Sequence, residues 1–211
     1  METLLFLCGT SRDAQSYKKL VDSAPKGWRL YFIPPEELIS PENSILTEKI
    51  LQFLEKRNLN KVILAGHSMG GLLAIEFVHK HPDKVKKLFL IDSAGVKTDK
   101  SAADFVWDFF RSHFSYWQKK AWEDARSFSR MLHHPLVFRR LAYIGRHTDL
   151  REQAQAIRIP TIIFLGEKDD VIPLSLTKTL NGWISGSKLI ILKDMDHDWI
   201  IHSPEKFWEN I

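Results

Sequence analysis

The chain of 211 residues contains a single cysteine, Cys8. No intrachain disulfide can form, so the fold must be held by buried apolar area instead of covalent staples. One cysteine also fits a reducing compartment. The nine histidines include no H-E-x-x-H and no paired Cys/His spacing. The sequence therefore carries no metal-site pattern, and the expectation is that it needs neither metal nor cofactor. Long runs of one charge sign are missing too. The net charge is +4, yet the basic pairs Lys18-Lys19, Lys86-Lys87, Lys119-Lys120 and Arg139-Arg140 are scattered and are not interleaved with aromatics. That pattern reads as solvated surface and not as a nucleic-acid footprint. The apolar run at residues 4–8 is too short for a membrane span or a signal-peptide core, and Met1-Glu2-Thr3 brings no basic region. These absences lead us to expect a soluble, cytoplasmic monomer or homodimer whose partner is a small molecule.

At this length one domain over residues 1–211 is expected, with enough chain for a substantial core. Short runs of Val, Ile, Leu and Phe at residues 4–8, 29–33, 61–65, 87–91, 161–165 and 188–192 predict strands. They are nearly continuous instead of alternating, as in parallel strands covered on both faces. Amphipathic stretches between them predict helices, giving an α/β sheet with helices on both faces. Ser40-Pro41-Glu42 and Ser203-Pro204-Glu205 both look like helix starts, with a capping serine, a first-turn proline and an acid. One region breaks the rhythm. Residues 98–156 show no convincing strand and are dense in aromatics, which predicts a helical cap inserted after the fourth strand. Trp107, Phe110, Phe114 and Trp117 are its candidates for contacting substrate.

The segment Gly66-His67-Ser68-Met69-Gly70 sits between a strand-like and a helix-like stretch. G-x-S-x-G alone is weak, since a chain this long would show one by accident with a probability of roughly 0.07 at average usage. The setting is what matters. Strand, tight turn and helix is the context a nucleophile elbow needs, with serine at the exposed tip and the new helix aiming its free N–H groups at the reaction centre. A serine hydroxyl is a poor nucleophile at neutral pH. It needs a base, and the base needs an orienting acid. In such sheets the reactive groups collect at the carboxyl ends of strands. After the fifth strand comes Gly166-Glu167-Lys168-Asp169-Asp170; after the sixth comes Asp194-Met195-Asp196-His197-Asp198-Trp199. Ser68, Asp169 and His197 then fall in the chain order Ser, Asp, His. The rivals are Asp170 or Asp92 as the acid and His202 as the base. His67 is expected to pack and not to react, and His113, His133, His134 and His147 to serve surface or packing roles.

With these segments together, the chain resembles the α/β-hydrolase superfamily, most closely its single-domain, cap-bearing esterases. The resemblance runs over nearly the whole chain. It rests on Gly66 to Gly70, on Gly166, Asp169 and Pro173, on His197 with Pro204 to Phe207, and on the helix-to-strand link His81-Pro82-Asp83-Lys84-Val85. It implies an acyl-transfer triad of Ser68, His197 and Asp169. It also implies an oxyanion hole built from the backbone N–H groups of Met69 and Thr10. Relatives often read His-Gly-x in the second donor loop, where this chain reads Cys8-Gly9-Thr10, but a backbone donor survives that change.

This chain departs from the family pattern at its start, where two antiparallel strands are expected and absent. The six remaining strands would form an all-parallel sheet in the order 2-1-3-4-5-6. The expected activity is hydrolysis of a carboxylic ester with an apolar part. Carbon–carbon bond hydrolysis, thioester or lactone hydrolysis and perhydrolysis would use the same residues. A ligand-binding receptor on the same scaffold is the non-enzymatic alternative. Haloalkane dehalogenases and epoxide hydrolases are disfavoured, because they use an Asp where this chain has Ser68.

Overall fold

The computed structural model describes residues 1–40, 42, 44–98, 129 and 132–211. The predicted apolar runs all become strands: β1 (Glu2–Leu7), β2 (Trp28–Ile33), β3 (Val62–His67), β4 (Val85–Ile91), β5 (Thr161–Gly166) and β6 (Lys188–Leu192). They form one sheet in the order β2-β1-β3-β4-β5-β6, and every pairing is parallel. Fold class and strand order are as the sequence led us to expect.

Side chains alternate across a strand, so each continuous apolar run feeds two cores. Leu5, Leu7, Val62, Leu64, Leu88, Leu90 and Ile163 point to one face. There they meet α2 (Thr47–Lys56), α3 (Met69–Lys80), α4 (Pro135–His147), α5 (Arg151–Ala156) and α6 (Leu174–Trp183). Leu4, Phe6, Ile63, Ala65, Phe89, Ile91 and Phe164 point to the other, against α1 (Lys18–Asp22), α7 (Trp199–His202) and α8 (Glu205–Trp208). The three layers follow directly from strands that carry no polar face.

Two helix starts resolve differently. Around Ser203-Pro204-Glu205 a short helix does begin, with Pro204 at its N-cap. At Ser40 it does not. The Ser40 hydroxyl accepts from the amides of Glu42 and Ser44, and Ile39 bridges to Ile45, which closes a loop; the helix starts only at Thr47. Serine side chains satisfy turns and helix caps by the same hydrogen bond, so the local pattern cannot separate the two.

Between β4 and β5 no strand occurs among the described residues. Leu150, Ala154 and Ile157, at the end of the aromatic-rich region, are buried in the same core as α3. Trp107, Phe110, Phe114 and Trp117 lie outside the described residues.

Candidate active site

The parallel strands bring their carboxyl ends to one edge of the sheet, and Ser68, Asp169 and His197 lie in the segments that follow β3, β5 and β6 there. Ser68 follows β3 directly and is the N-cap of α3, with φ 54° and ψ −117°. A positive φ is unfavourable for any residue with a Cβ, and three backbone bonds hold it. Its N–H donates to the Ile91 carbonyl at 2.9 Å, and its carbonyl accepts from Gly71 and Ala94, each at 3.0 Å. The elbow also needs its flanking glycines. A Cβ on Gly70 would stand 2.0 Å from the carbonyl oxygen of Leu7, and one on Gly66 would stand 2.3 Å from that of Gly70. Met69 opens the helix, so its N–H is among the first-turn donors that have no carbonyl within the helix.

Nδ1 of His197 lies 2.8 Å from Oδ2 of Asp169, with both side chains nearly inaccessible to water. Oδ1 of Asp169 accepts from the amides of Val171 and Ile172 at 2.7 and 2.9 Å. Burial alone would raise the pKa of Asp169, but the His197 partner and the Ile172 amide override it and hold the carboxyl below its ordinary value. Burial alone would lower that of His197; the Asp169 charge and hydrogen bond, helped by Asp198, hold it above the usual histidine value instead. This pairing distinguishes Asp169 from its neighbour Asp170, which is exposed.

The other rivals are placed elsewhere. His202 braces the base loop: its Nε2 lies 2.8 Å from Oδ1 of Asp196. Asp92 is fully buried with φ 44°, and its Oδ1 accepts from the Gly166 amide at 2.8 Å. Burial, then the charge of Asp169, push its pKa well above the ordinary carboxylate value. Donor atoms of Asp92, Asp169 and His197 lie within 4.8 Å of one another, but both oxygens of Asp169 are already engaged by the amides and by His197.

In the donor loop, Gly9 accepts from the Arg12 amide at 3.0 Å across a turn whose third residue, Ser11, has φ 62°. A trans peptide sends its C=O and N–H in opposite directions, so the N–H of Thr10 faces away from that turn. The sequence alone did not single out the residues that fasten these loops. Arg12 reaches Oδ2 of Asp198 at 2.7 Å in a buried ion pair. His67, inside the elbow, lies with Nε2 2.9 Å from the His197 carbonyl oxygen and Nδ1 2.9 Å from the Tyr17 hydroxyl. Arg12 and Asp198 do flank the donor loop and the base, and that opposite-charge pairing was the available signal. Tyr17 has none in its local sequence.

The sequence profile of the family described as Hydrolase_4, serine aminopeptidase, S33, matches residues 45–203. The chain belongs to this family of α/β hydrolases. This hydrolase is 28% identical over 179 residues to the AB hydrolase superfamily protein YisY of Bacillus subtilis, covering 70% of this chain and 64% of YisY. It is 21% identical to the pimeloyl-[acyl-carrier protein] methyl ester esterase of Yersinia enterocolitica, covering 97% of this chain and 89% of that protein. Among solved structures, the bromoperoxidase from Bacillus anthracis superposes with a TM-score of 0.80 at 18% identity, covering 99% of this hydrolase and 89% of that chain. Among the described residues no helix is long and apolar enough to cross a membrane.

Proposed function

We propose that this hydrolase cleaves a carboxylic ester through an acyl-enzyme on Ser68. The observation that carries the reading is the buried 2.8 Å contact of His197 with Asp169, on a base loop docked against the residue that precedes a strained Ser68. In this reading Ser68 attacks the ester carbonyl. His197 takes its proton at Nε2 and returns it to the leaving alkoxide, while Asp169 fixes the tautomer and stabilises the imidazolium. The amides of Met69 and Thr10 receive the oxyanion. Water then repeats the sequence on the acyl-enzyme and frees the acid. An apolar acyl or alcohol group is proposed from the aromatic content of residues 98–156, with Trp107, Phe110, Phe114 and Trp117 as the contacts.

Similarity to the methyl ester esterase supports ester chemistry. The chain is also 27% identical over 167 residues to the 2-hydroxymuconate semialdehyde hydrolase of Pseudomonas sp. strain CF600, which keeps carbon–carbon cleavage as the second reading. A fluorophosphonate probe and a panel of p-nitrophenyl esters test the proposal. Labelling should be lost in Ser68→Ala, and turnover should drop by about 10³-fold or more in Ser68→Ala and His197→Ala. Ester turnover that survives Ser68→Ala would sink it. Catalysis confined to a meta-cleavage product would favour the second reading.

A further inference from the structure

Four buried polar groups are joined by three hydrogen bonds in a line across the site. The Gly9 amide donates to the Tyr17 hydroxyl at 2.9 Å; that hydroxyl meets Nδ1 of His67 at 2.9 Å; and Nε2 of His67 meets the carbonyl oxygen of His197 at 2.9 Å. Tyr17 is 0% and His67 1% exposed. A carbonyl can only accept, so Nε2 carries the hydrogen. In the neutral ring Nδ1 is then an acceptor, and the Tyr17 hydroxyl donates to it while accepting from Gly9. Each donor meets an acceptor, and the line has a single consistent direction.

We propose that Tyr17 and His67 are positioning residues that hold the oxyanion loop and the base loop in register across the elbow. The proposal rests on the reading of Ser68 as the nucleophile. His67 follows Ile63 and Ala65 at strand period, so its ring falls on the face where Tyr17 is buried. Gly9 sits directly against that ring: a Cβ there would be 2.8 Å from Nδ1. Gly9 is thus held through both peptide groups it joins: the one before it by the Gly9 N–H on Tyr17, and the one after it by the Gly9 C=O on the Arg12 amide. The direction of the Thr10 N–H follows from that peptide. At the other end, His197 is pinned at its carbonyl by His67 and at its ring by Asp169. A fully satisfied buried network specifies one arrangement where an apolar contact would tolerate several. Neither side chain needs to touch substrate.

Removing an oxyanion donor costs about 10²- to 10³-fold in kcat, and loosening one should cost less, about tenfold. The loss should appear in kcat with KM within about twofold, because the oxyanion exists only along the reaction path. The experiment measures kcat and KM for p-nitrophenyl acetate, together with thermal melting, for the wild type, Tyr17→Phe, His67→Gln and the double variant. We expect the kcat loss in each single variant and no further loss in the double, since breaking either link frees the same loop. A lower melting temperature with unchanged kcat, or losses that simply multiply in the double variant, overturns the proposal. Where a variant does not fold, ring-¹⁵N NMR of the wild type decides: His67 must be the neutral Nε2–H tautomer, and any other form overturns the line. A wild type with neither ester turnover nor fluorophosphonate labelling at Ser68 would remove the Ser68 reading and this inference with it. Normal wild-type turnover with an unaffected Tyr17→Phe would remove the inference alone.

Discussion

His67 stands at the junction of strand, elbow and base loop, and its ring has no access to water. Burial lowers its pKa to about 4 from 6.5, with the neighbouring His197 adding to the effect; Asp198 opposes it and Arg12 reinforces it. The sign follows from linkage. In the unfolded chain the ring takes up a proton below 6.5, whereas the folded ring stays neutral down to about 4. Stability is therefore lost as pH falls through that window. Between pH 7.5 and pH 5 the loss from this one ring is about 2 kcal/mol. His197, whose pKa is raised, works in the opposite sense over the range above 6.5. Asp169, whose pKa is lowered, acts only further into acid. Comparison with His67→Gln separates the term. In urea denaturation, the stability advantage of the wild type over the variant should shrink by about 2 kcal/mol from pH 7.5 to pH 5, and an advantage constant over that range would refute the assignment. The residue type and its place in the elbow were legible in the sequence. Its two hydrogen bonds were not, because both partners arrive from distant segments, Tyr17 from the N-cap of α1 and His197 from the loop after β6.

The six strands were legible within about two residues because continuous apolar runs of this length have few other uses in a sheet covered on both sides. The start of α2 was not, because the Ser40 hydroxyl closes a loop where the same sequence could have capped a helix. The elbow lies between these cases. The sequence shows that glycines flank the serine, and the structure shows what each one clears. At Gly70 the obstacle is the backbone of β1, which has no rotamer with which to yield: a Cβ would come within 2.0 Å of the Leu7 carbonyl oxygen and 2.7 Å of that of Cys8. Gly70→Ala must therefore push α3 away from β1 and open the core between them. That core holds Leu7, Leu72 and Leu73. The expected cost is about 3 kcal/mol or more, in the range of strongly overpacked or cavity-forming changes. Ala at the exposed helix position His79 should cost nothing measurable by the same assay. Equal melting temperatures for Gly70→Ala and the wild type would show that α3 does not cross β1 at this distance.

Across the whole molecule, segments near the two ends of the chain meet beside the candidate site, and one ion pair joins them. Arg12 and Asp198 are 186 residues apart, meet at 2.7 Å, and are 2% and 6% exposed at their side chains. The pair joins the turn that follows the proposed oxyanion donor to the residue that follows His197. Lesser ties run in parallel, from Trp208 to the Ser23 hydroxyl and from Lys19 to the His202 carbonyl, but these are exposed. Two charges this deep are poor evidence of net stability, because removing them from water costs about as much as their attraction returns. Breaking the pair is another matter, since it takes from a buried charge the counter-charge 2.7 Å away. Arg12→Met alone and Asp198→Leu alone should each lower stability by about 3–5 kcal/mol, while the double variant, with both charges gone, should recover most of that loss. Stability and catalysis need not move together. The double variant restores the packing but not the fixed direction of the contact between the two loops, so its melting temperature should return towards wild type while its kcat stays low. Recovery of kcat along with melting temperature would mean that the pair only fills space. Single variants as stable as the wild type would mean that water reaches the charges once one partner is removed.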